Sequence, residues 1–195
     1  PLGLYIHIPF CLSRCGYCSF FSVPYRNSVL NEYVDYLEKE KSLYSNQLNR
    51  PLATIYFGGG TPSLLNAEQI RHILSGLNIL PEAEITLEIN PLQITQTYLQ
   101  ALKTTPINRL SIGLQSMNQE ELNFLERHHK PEQIQEKIAL CRHFGYENLS
   151  LDLIYGLPNS SLQTLQGTVE KYLELKPEHI SCYLLTLDAD CKLAK

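Results

Sequence analysis

Six short apolar runs, each followed by a stretch of helical periodicity, restrict the folds open to this chain. The runs lie at about 2–8, 53–58, 84–89, 109–113, 149–155 and 179–185. Short strands alternating with longer amphipathic helices are the pattern of parallel α/β units. Leu30, Tyr33, Val34 and Leu37 repeat at helical spacing after Asn27 and Ser28, which read as caps. Ile70, Ile73, Leu74 and Leu77 mark the next helix, and Asn66 with Gln69 forms a variant capping box at its start. Tyr98, Leu99 and Leu102 mark a third. Asn118 and Glu121 open a short fourth through Leu122 and Leu125. Pro131 then occupies a tolerated first-turn position before Ile134, Ile138 and Cys141, and Leu165, Val169, Tyr172 and Leu173 form the last face. A partial (βα)6 TIM-like barrel and a doubly wound sheet both fit this period.

A chain of 195 residues with a net charge of −4 is large enough for a proper core and carries no basic field for nucleic acid. No apolar stretch is long enough to span a bilayer and no cleavable leader is present, so the expectation is a cytoplasmic protein without a transmembrane segment. No repeat or linker divides residues 1–195, which read as one domain. The chain starts at Pro1 and ends in a charged fragment, so a further C-terminal part is expected to be absent.

Three of the six cysteines lie within eight residues, as C-x3-C-x2-C at Cys11, Cys15 and Cys18. The strand LGLYIHIP directly precedes them, so they sit on a loop leaving a rigid element. Three closely spaced thiolates can hold three irons of a [4Fe–4S] cube and leave the fourth open to a small molecule. The alternative is a structural zinc site completed by a ligand such as His7. Cys141, Cys182 and Cys191 are scattered, which fits a reducing compartment better than a disulfide framework. Cys141 continues a helical apolar face, and Cys182 in HISCYLLTL reads as packing. The other chemistry-bearing groups also follow strands: Gly58, Gly59, Gly60 and Thr61 the second, Glu88 the third, and Gln115 the fourth. Barrel enzymes gather their sites at the C-terminal strand ends in this way.

The cysteine spacing, with Tyr17 before the third cysteine, resembles the radical S-adenosylmethionine (SAM) family. The string YIHIPFC, with YFGGGTPS, ITLEINP, RLSIGLQS, LERHH and SLDLIYGLP in that order, is similar to the oxygen-independent coproporphyrinogen III oxidases and their haem-chaperone branch. The resemblance runs from about Leu4 to about Leu187. It implies an open six-stranded barrel whose radical SAM core, residues 1–195, is truncated at its C-terminal end. It implies that Cys11, Cys15 and Cys18 ligate a [4Fe–4S] cluster whose fourth iron is chelated by SAM. It implies one-electron reductive cleavage of SAM to methionine and a 5′-deoxyadenosyl radical. By the same resemblance Tyr5, Tyr17, Gly59, Gly60, Thr61 and Glu88 contact SAM. Gln115, Arg127 and Asp152, with Gly60 and Thr61, surround a second SAM or the substrate side.

Asp152 shares one strand face with Ser150 and Ile154, and a buried aspartate needs a partner, for which Arg127 is the candidate. His72, His128, His129 and His143 read as solvated, and His7 as a packing residue beside the loop. The oxidase branch carries a further cysteine two positions past the third; this chain has Phe20 there, as the haem-chaperone branch does. The resemblance therefore implies a haem chaperone, with coproporphyrinogen III oxidase as the alternative. It also implies a tetrapyrrole (haem or coproporphyrinogen III), a one-electron reductant such as flavodoxin or ferredoxin, and a haem-acceptor protein as partners.

Overall fold

The computed structural model describes residues 1–189 and 191–194. Leu2–Ile8 (β1), Leu52–Gly59 (β2), Ile79–Ile89 (β3), Arg109–Gln115 (β4), Asn148–Tyr155 (β5) and His179–Leu184 (β6) form one sheet. Each strand pairs in parallel with the one before it. A doubly wound sheet reverses its strand order at a switch point. This sheet does not, so crossovers of one hand deliver every helix to the same side. Strand twist curls the sheet, and β1 and β6 do not pair, leaving a half-barrel.

The helices that follow the strands or the cysteine loop are Asn27–Leu43 (α1), Ala67–Leu74 (α2), Gln96–Leu102 (α3), Gln119–Phe124 (α4), Ile134–His143 (α5) and Leu162–Glu174 (α6), with one further helical turn at Ser45–Leu48 after α1. The core lies between them and the convex face of the sheet. Leu87, Leu110 and Leu149 are register partners there and all fully buried. Ile70 and Leu99 pack into the same cluster from α2 and α3, as do Ile134 and Cys141 from α5. The capping box at α2 forms in full: the Asn66 side chain accepts from Gln69 N at 2.9 Å, and Gln69 Oε1 accepts from Asn66 N at 2.8 Å. Asn118 caps α4, accepting from Glu120 N and Glu121 N.

The concave face is polar. Tyr5 stacks on Tyr56, Arg109 donates to Thr86 at 3.2 Å, and Ser150 bonds His179 at 2.9 Å. Closed barrels of this type fill their interior with bulky aliphatic layers; here the interior is a hydrogen-bonded surface around an open space.

Several local expectations are corrected. Neither Asn27 nor Ser28 caps α1. The cap position falls on Arg26, which makes no side-chain bond, and Asn27 instead accepts from the Tyr25 hydroxyl. Cys182 is exposed rather than packed: it lies on the edge strand β6, where Ile180 still reaches the core but Cys182, two residues on, does not. His129, expected in solvent, is 1% exposed. His72, His128 and His143 are exposed as expected. No helix among the described residues is long and apolar enough to cross a membrane.

The outer row predicts where the fold is sensitive. Leu110→Ala should lower stability by about 2–5 kcal/mol, the range for emptying a buried leucine site. Asn66→Ala should cost about 1 kcal/mol through loss of the cap. Urea unfolding of the two variants checks the order.

Candidate functional site

The three cysteines occupy a loop closed at its base by backbone. Phe10–Cys11 pairs in parallel with Val23–Pro24; Val23 N donates to Pro9 O at 2.7 Å and Tyr25 N to Cys11 O at 2.9 Å. Inside the loop, Cys18 N donates to Cys15 O at 3.1 Å, and Arg14 grips the Cys18 carbonyl through Nε and Nη2. Outside it, His7 Nε2 lies 3.3 Å from Phe21 O, and the Tyr33 hydroxyl donates to His7 O at 2.7 Å. All three thiols are free and half-buried, on one side of a cavity of about 520 Å³. That volume is within the range of small-molecule sites.

The glycine turn at the end of β2 forms the adjoining wall. Gly59 has φ +118°, and a Cβ there would lie 2.7 Å from the His7 ring. A Cβ on Gly60 would lie 2.7 Å from Phe10 O and 3.0 Å from the Cys11 sulfur. Glycine is therefore what lets this turn lie flat against the cysteine loop. The Thr61 hydroxyl donates to Cys11 Sγ at 3.7 Å.

Two carboxyls, from β3 and β5, also line the cavity. Glu88 accepts from the Tyr56 hydroxyl at 2.9 Å and from Gly59 N at 3.2 Å, which ties β3 to the glycine turn. Burial pushes its pKa up to about 7; the two hydrogen bonds oppose this and the Asp152 charge adds to it. Burial also raises Asp152, to about 6, against hydrogen bonds from Ser181 and Ser111. Ser111 donates to Asp152 at 3.4 Å.

Arg127 is not the partner of Asp152. Its Nη2 donates to Gly113 O at 2.6 Å and its Nη1 to Cys15 Sγ at 3.6 Å. The coulombic effects that lower Asp152 come from Arg109 first and then His179, both on its inner face. Neither nitrogen of His129, next to that arginine loop, has a hydrogen-bond partner. Burial, then the Arg127 charge, push its pKa down to about 4, so its ring is neutral.

Of the residues singled out in the sequence, Cys11, Cys15, Cys18, Tyr17, Gly59, Gly60, Thr61, Glu88, Gln115, Arg127 and Asp152 all line the cavity. Gln115 does so at φ +70°, a left-handed conformation unusual for a side chain and typical of functional positions. Tyr5 does not line it. It is 56% exposed further down the concave face, with its hydroxyl 3.1 Å from His7 Nδ1. Phe20 lies at the rim, 63% exposed.

Sequence reasoning missed Ser111, Gly113 and Arg14. Period-two spacing from Arg109 would have found the first two. It also left Cys191 unread; its thiol is buried and donates to Tyr17 O at 3.1 Å, fastening the cysteine loop from behind.

Cysteine thiols, a glycine turn and buried carboxyls at the C-terminal ends of parallel half-barrel strands define a cofactor-binding protein of the barrel class. The sequence profile of the Radical SAM superfamily matches residues 5–172, and the chain belongs to that superfamily. It is 36% identical over 96% of its length to the heme chaperone HemW of Escherichia coli, covering 51% of that protein. It is 34% identical over 94% of its length to the oxygen-independent coproporphyrinogen III oxidase of Helicobacter pylori, covering 42% of it. The structure of Escherichia coli coproporphyrinogen III oxidase superposes with a TM-score of 0.89 at 30% identity, over all of this chain and 46% of that one. The chain thus spans about half the length of the curated relatives it matches.

Membership implies a [4Fe–4S] cluster and SAM. The residues present fit both. Three free thiols face one cavity, and the glycine turn leaves the space beside Cys11 that a Cβ would fill. Among the described residues no three Cys, His, Asp or Glu groups gather tightly enough to share a single ion, the arrangement a zinc site needs. A cube asks only one thiolate per iron.

The raised carboxyls give a pH prediction for the protein free of cluster and SAM. Between pH 4.5 and about 7, Glu88 is protonated when folded and ionised when unfolded. The native state then holds the extra proton, and stability falls as pH rises by up to about 3 kcal/mol. Urea unfolding at about pH 5 and about pH 8 should show that fall in wild type and a clearly smaller one in Glu88→Gln.

Proposed function

We propose that this chain is the radical SAM core of a haem chaperone acting in haem metabolism, with residues 1–195 forming one core domain of a cytoplasmic protein. Phe20 carries the choice. It stands where the resemblance places a further cysteine in the oxidase branch, and it lines the cavity beside Cys18. Relatives named as heme chaperones support the same reading. Cys11, Cys15 and Cys18 hold the cluster. Gly59, Gly60, Thr61 and Glu88 hold SAM, with the backbone at Tyr17 against its adenine. Gln115, Arg127 and Asp152 face a second SAM or the tetrapyrrole side. Tyr5 acts on SAM only through His7 and the Gly59 turn that His7 packs against.

When bound, the cluster and SAM supply one-electron reductive chemistry, fed by a flavodoxin- or ferredoxin-type reductant. The chain's own residues do the positioning. Glu88 offers a carboxylate that a cationic ligand group would draw into its charged form, reversing the effect of burial. The apolar rim at Phe20, Leu184 and Tyr183 offers contact area to a flat macrocycle that is handed on to an acceptor protein.

Coproporphyrinogen III oxidase is the second reading, favoured by the 0.89 superposition on such an enzyme. The test uses the full-length protein reconstituted anaerobically with iron and sulfide. Haem binding, seen by absorbance and followed by transfer to an apo-acceptor, is the expected outcome, with no protoporphyrinogen formed from coproporphyrinogen III, SAM and reductant. Multiple turnovers to protoporphyrinogen would replace the chaperone reading with the oxidase. Cys15→Ser should lose most of the reconstituted iron.

A further inference from the structure

Arg127 has an environment that the pairing expected for it does not explain, whatever ligand it also faces in the cavity. It follows Glu126, whose φ of +54° turns the chain out of α4 toward the cavity. Its own N–H donates to Leu122 O at 2.9 Å. Nη2 is fixed on Gly113 O at 2.6 Å, and a Cβ on Gly113 would stand 3.4 Å from that nitrogen. Nη1 is thereby aimed at Cys15 Sγ, 3.6 Å away. Nε is buried with no partner, and none of the ion pairs among the described residues includes Arg127. A half-buried guanidinium held by a carbonyl and a sulfur, with no carboxylate beside it, is a cation built to face negative charge.

The three cysteines are not treated alike. The Cys11 sulfur receives only the neutral Thr61 hydroxyl, at 3.7 Å. Arg14 spends its two donors on the Cys18 carbonyl rather than on its sulfur. Among the hydrogen bonds of the described residues a cationic donor reaches only the Cys15 sulfur, while the Arg14 charge acts on Cys18 without bonding its sulfur. Hydrogen bonds and positive charge at a cluster sulfur favour the more negative, reduced cluster and so raise its potential.

We propose that Arg127 is a redox-positioning residue: its guanidinium hydrogen-bonds the Cys15 sulfur and raises the reduction potential of the cluster that Cys11, Cys15 and Cys18 hold. The proposal rests on the reading of those cysteines as cluster ligands. It concerns one step, the gain of one electron by the oxidised cluster from the external reductant, with no bond made or broken. The charge that Arg127 carries is unchanged in that step, and its effect lies in the field it places at the sulfur.

The test uses the full-length protein, reconstituted anaerobically as wild type, Arg127→Lys and Arg127→Gln, without SAM. Iron and sulfide content are measured first. Each sample is then poised across a potential series with dithionite and mediators, and the reduced fraction is read by electron paramagnetic resonance. At the potential that half-reduces wild type, Arg127→Gln should show at least a tenfold lower ratio of reduced to oxidised cluster, a downward shift of about 59 mV or more for a one-electron couple. Arg127→Lys should fall between. Equal potentials in wild type and Arg127→Gln, at equal iron content, overturn the proposal.

If the variants lose the cluster, the otherwise native protein still decides, prepared with 15N-arginine and with Arg14→Gln to silence the nearby arginine. Its reduced cluster should show hyperfine coupling to a guanidinium nitrogen, and absence of that coupling overturns the proposal. A wild type that takes up no iron sulfide would instead overturn the cluster reading, an outcome distinct from equal potentials.

Discussion

Every strand of this sheet pairs in parallel with its predecessor in sequence, so each side chain faces either a layer of helices or the hollow of the half-barrel. Period-two alternation then sorts the chain into two chemistries. Leu87, Leu110 and Leu149 meet on the helix side, while Glu88, Ser111 and Ser150 meet one residue later on the hollow side. A shift of register by one residue on any strand would exchange the two rows. The penalty for burying Glu88 or Arg109 among leucines makes that exchange prohibitive. The same force that packs the core therefore fixes which polar groups reach the cavity.

The cysteine loop depends on that register at one joint. β1 and β2 end side by side, Gly60 N donates to Ile8 O at 2.8 Å, and the glycine turn meets the loop at van der Waals distance. Sulfur, glycine backbone and the Glu88 carboxyl come together because three adjacent strands stop at one level. The loop is rigid for local reasons as well. Arg14 closes it from within, His7 holds Phe21 O from one side, and Cys191 holds Tyr17 O from the other.

The strand–helix alternation was legible because each run is apolar and each helix amphipathic, and the position of the cysteines after β1 was legible with it. The period alone did not decide between barrel and doubly wound sheet, since strand order is a property of pairing; the motifs at the strand ends and the resemblance they carry pointed to the barrel, and the sheet is a half-barrel. The polar concave face was written in the sequence as Thr86, Glu88, Arg109, Ser111, Ser150 and Asp152, yet it reads as alternation only once the register is known. The pairing of Arg127 with Asp152 failed for the same reason. Both residues reach the cavity, but the Gly113 carbonyl and the Cys15 sulfur lie closer to the arginine's approach from α4, and charge complementarity alone cannot rank them. His129 misled because a histidine between charged neighbours looks solvated, whereas here the loop folds it inward beside Leu114 and leaves it neutral. Cys182 misled in the opposite direction. Its run is as apolar as the others, but on this edge strand the core reaches Ile180 and stops short of Cys182.

The cavity that results is electrostatically divided. Arg14 and Arg127 reach it from the cysteine loop and the turn after α4, and Glu88 and Asp152 from β3 and β5, each carboxyl with a proton held more tightly than in water. A ligand carrying both an ammonium and a carboxylate lowers the energy of this arrangement when its cationic end lies toward Glu88 and its anionic end toward the arginines. A neutral ligand would leave both sides desolvated and uncompensated. The division supports an amphoteric cofactor such as SAM in this cavity. Burial raises both carboxyls, Glu88 to about 7 and Asp152 to about 6, and a cationic ligand group beside them would lower both again.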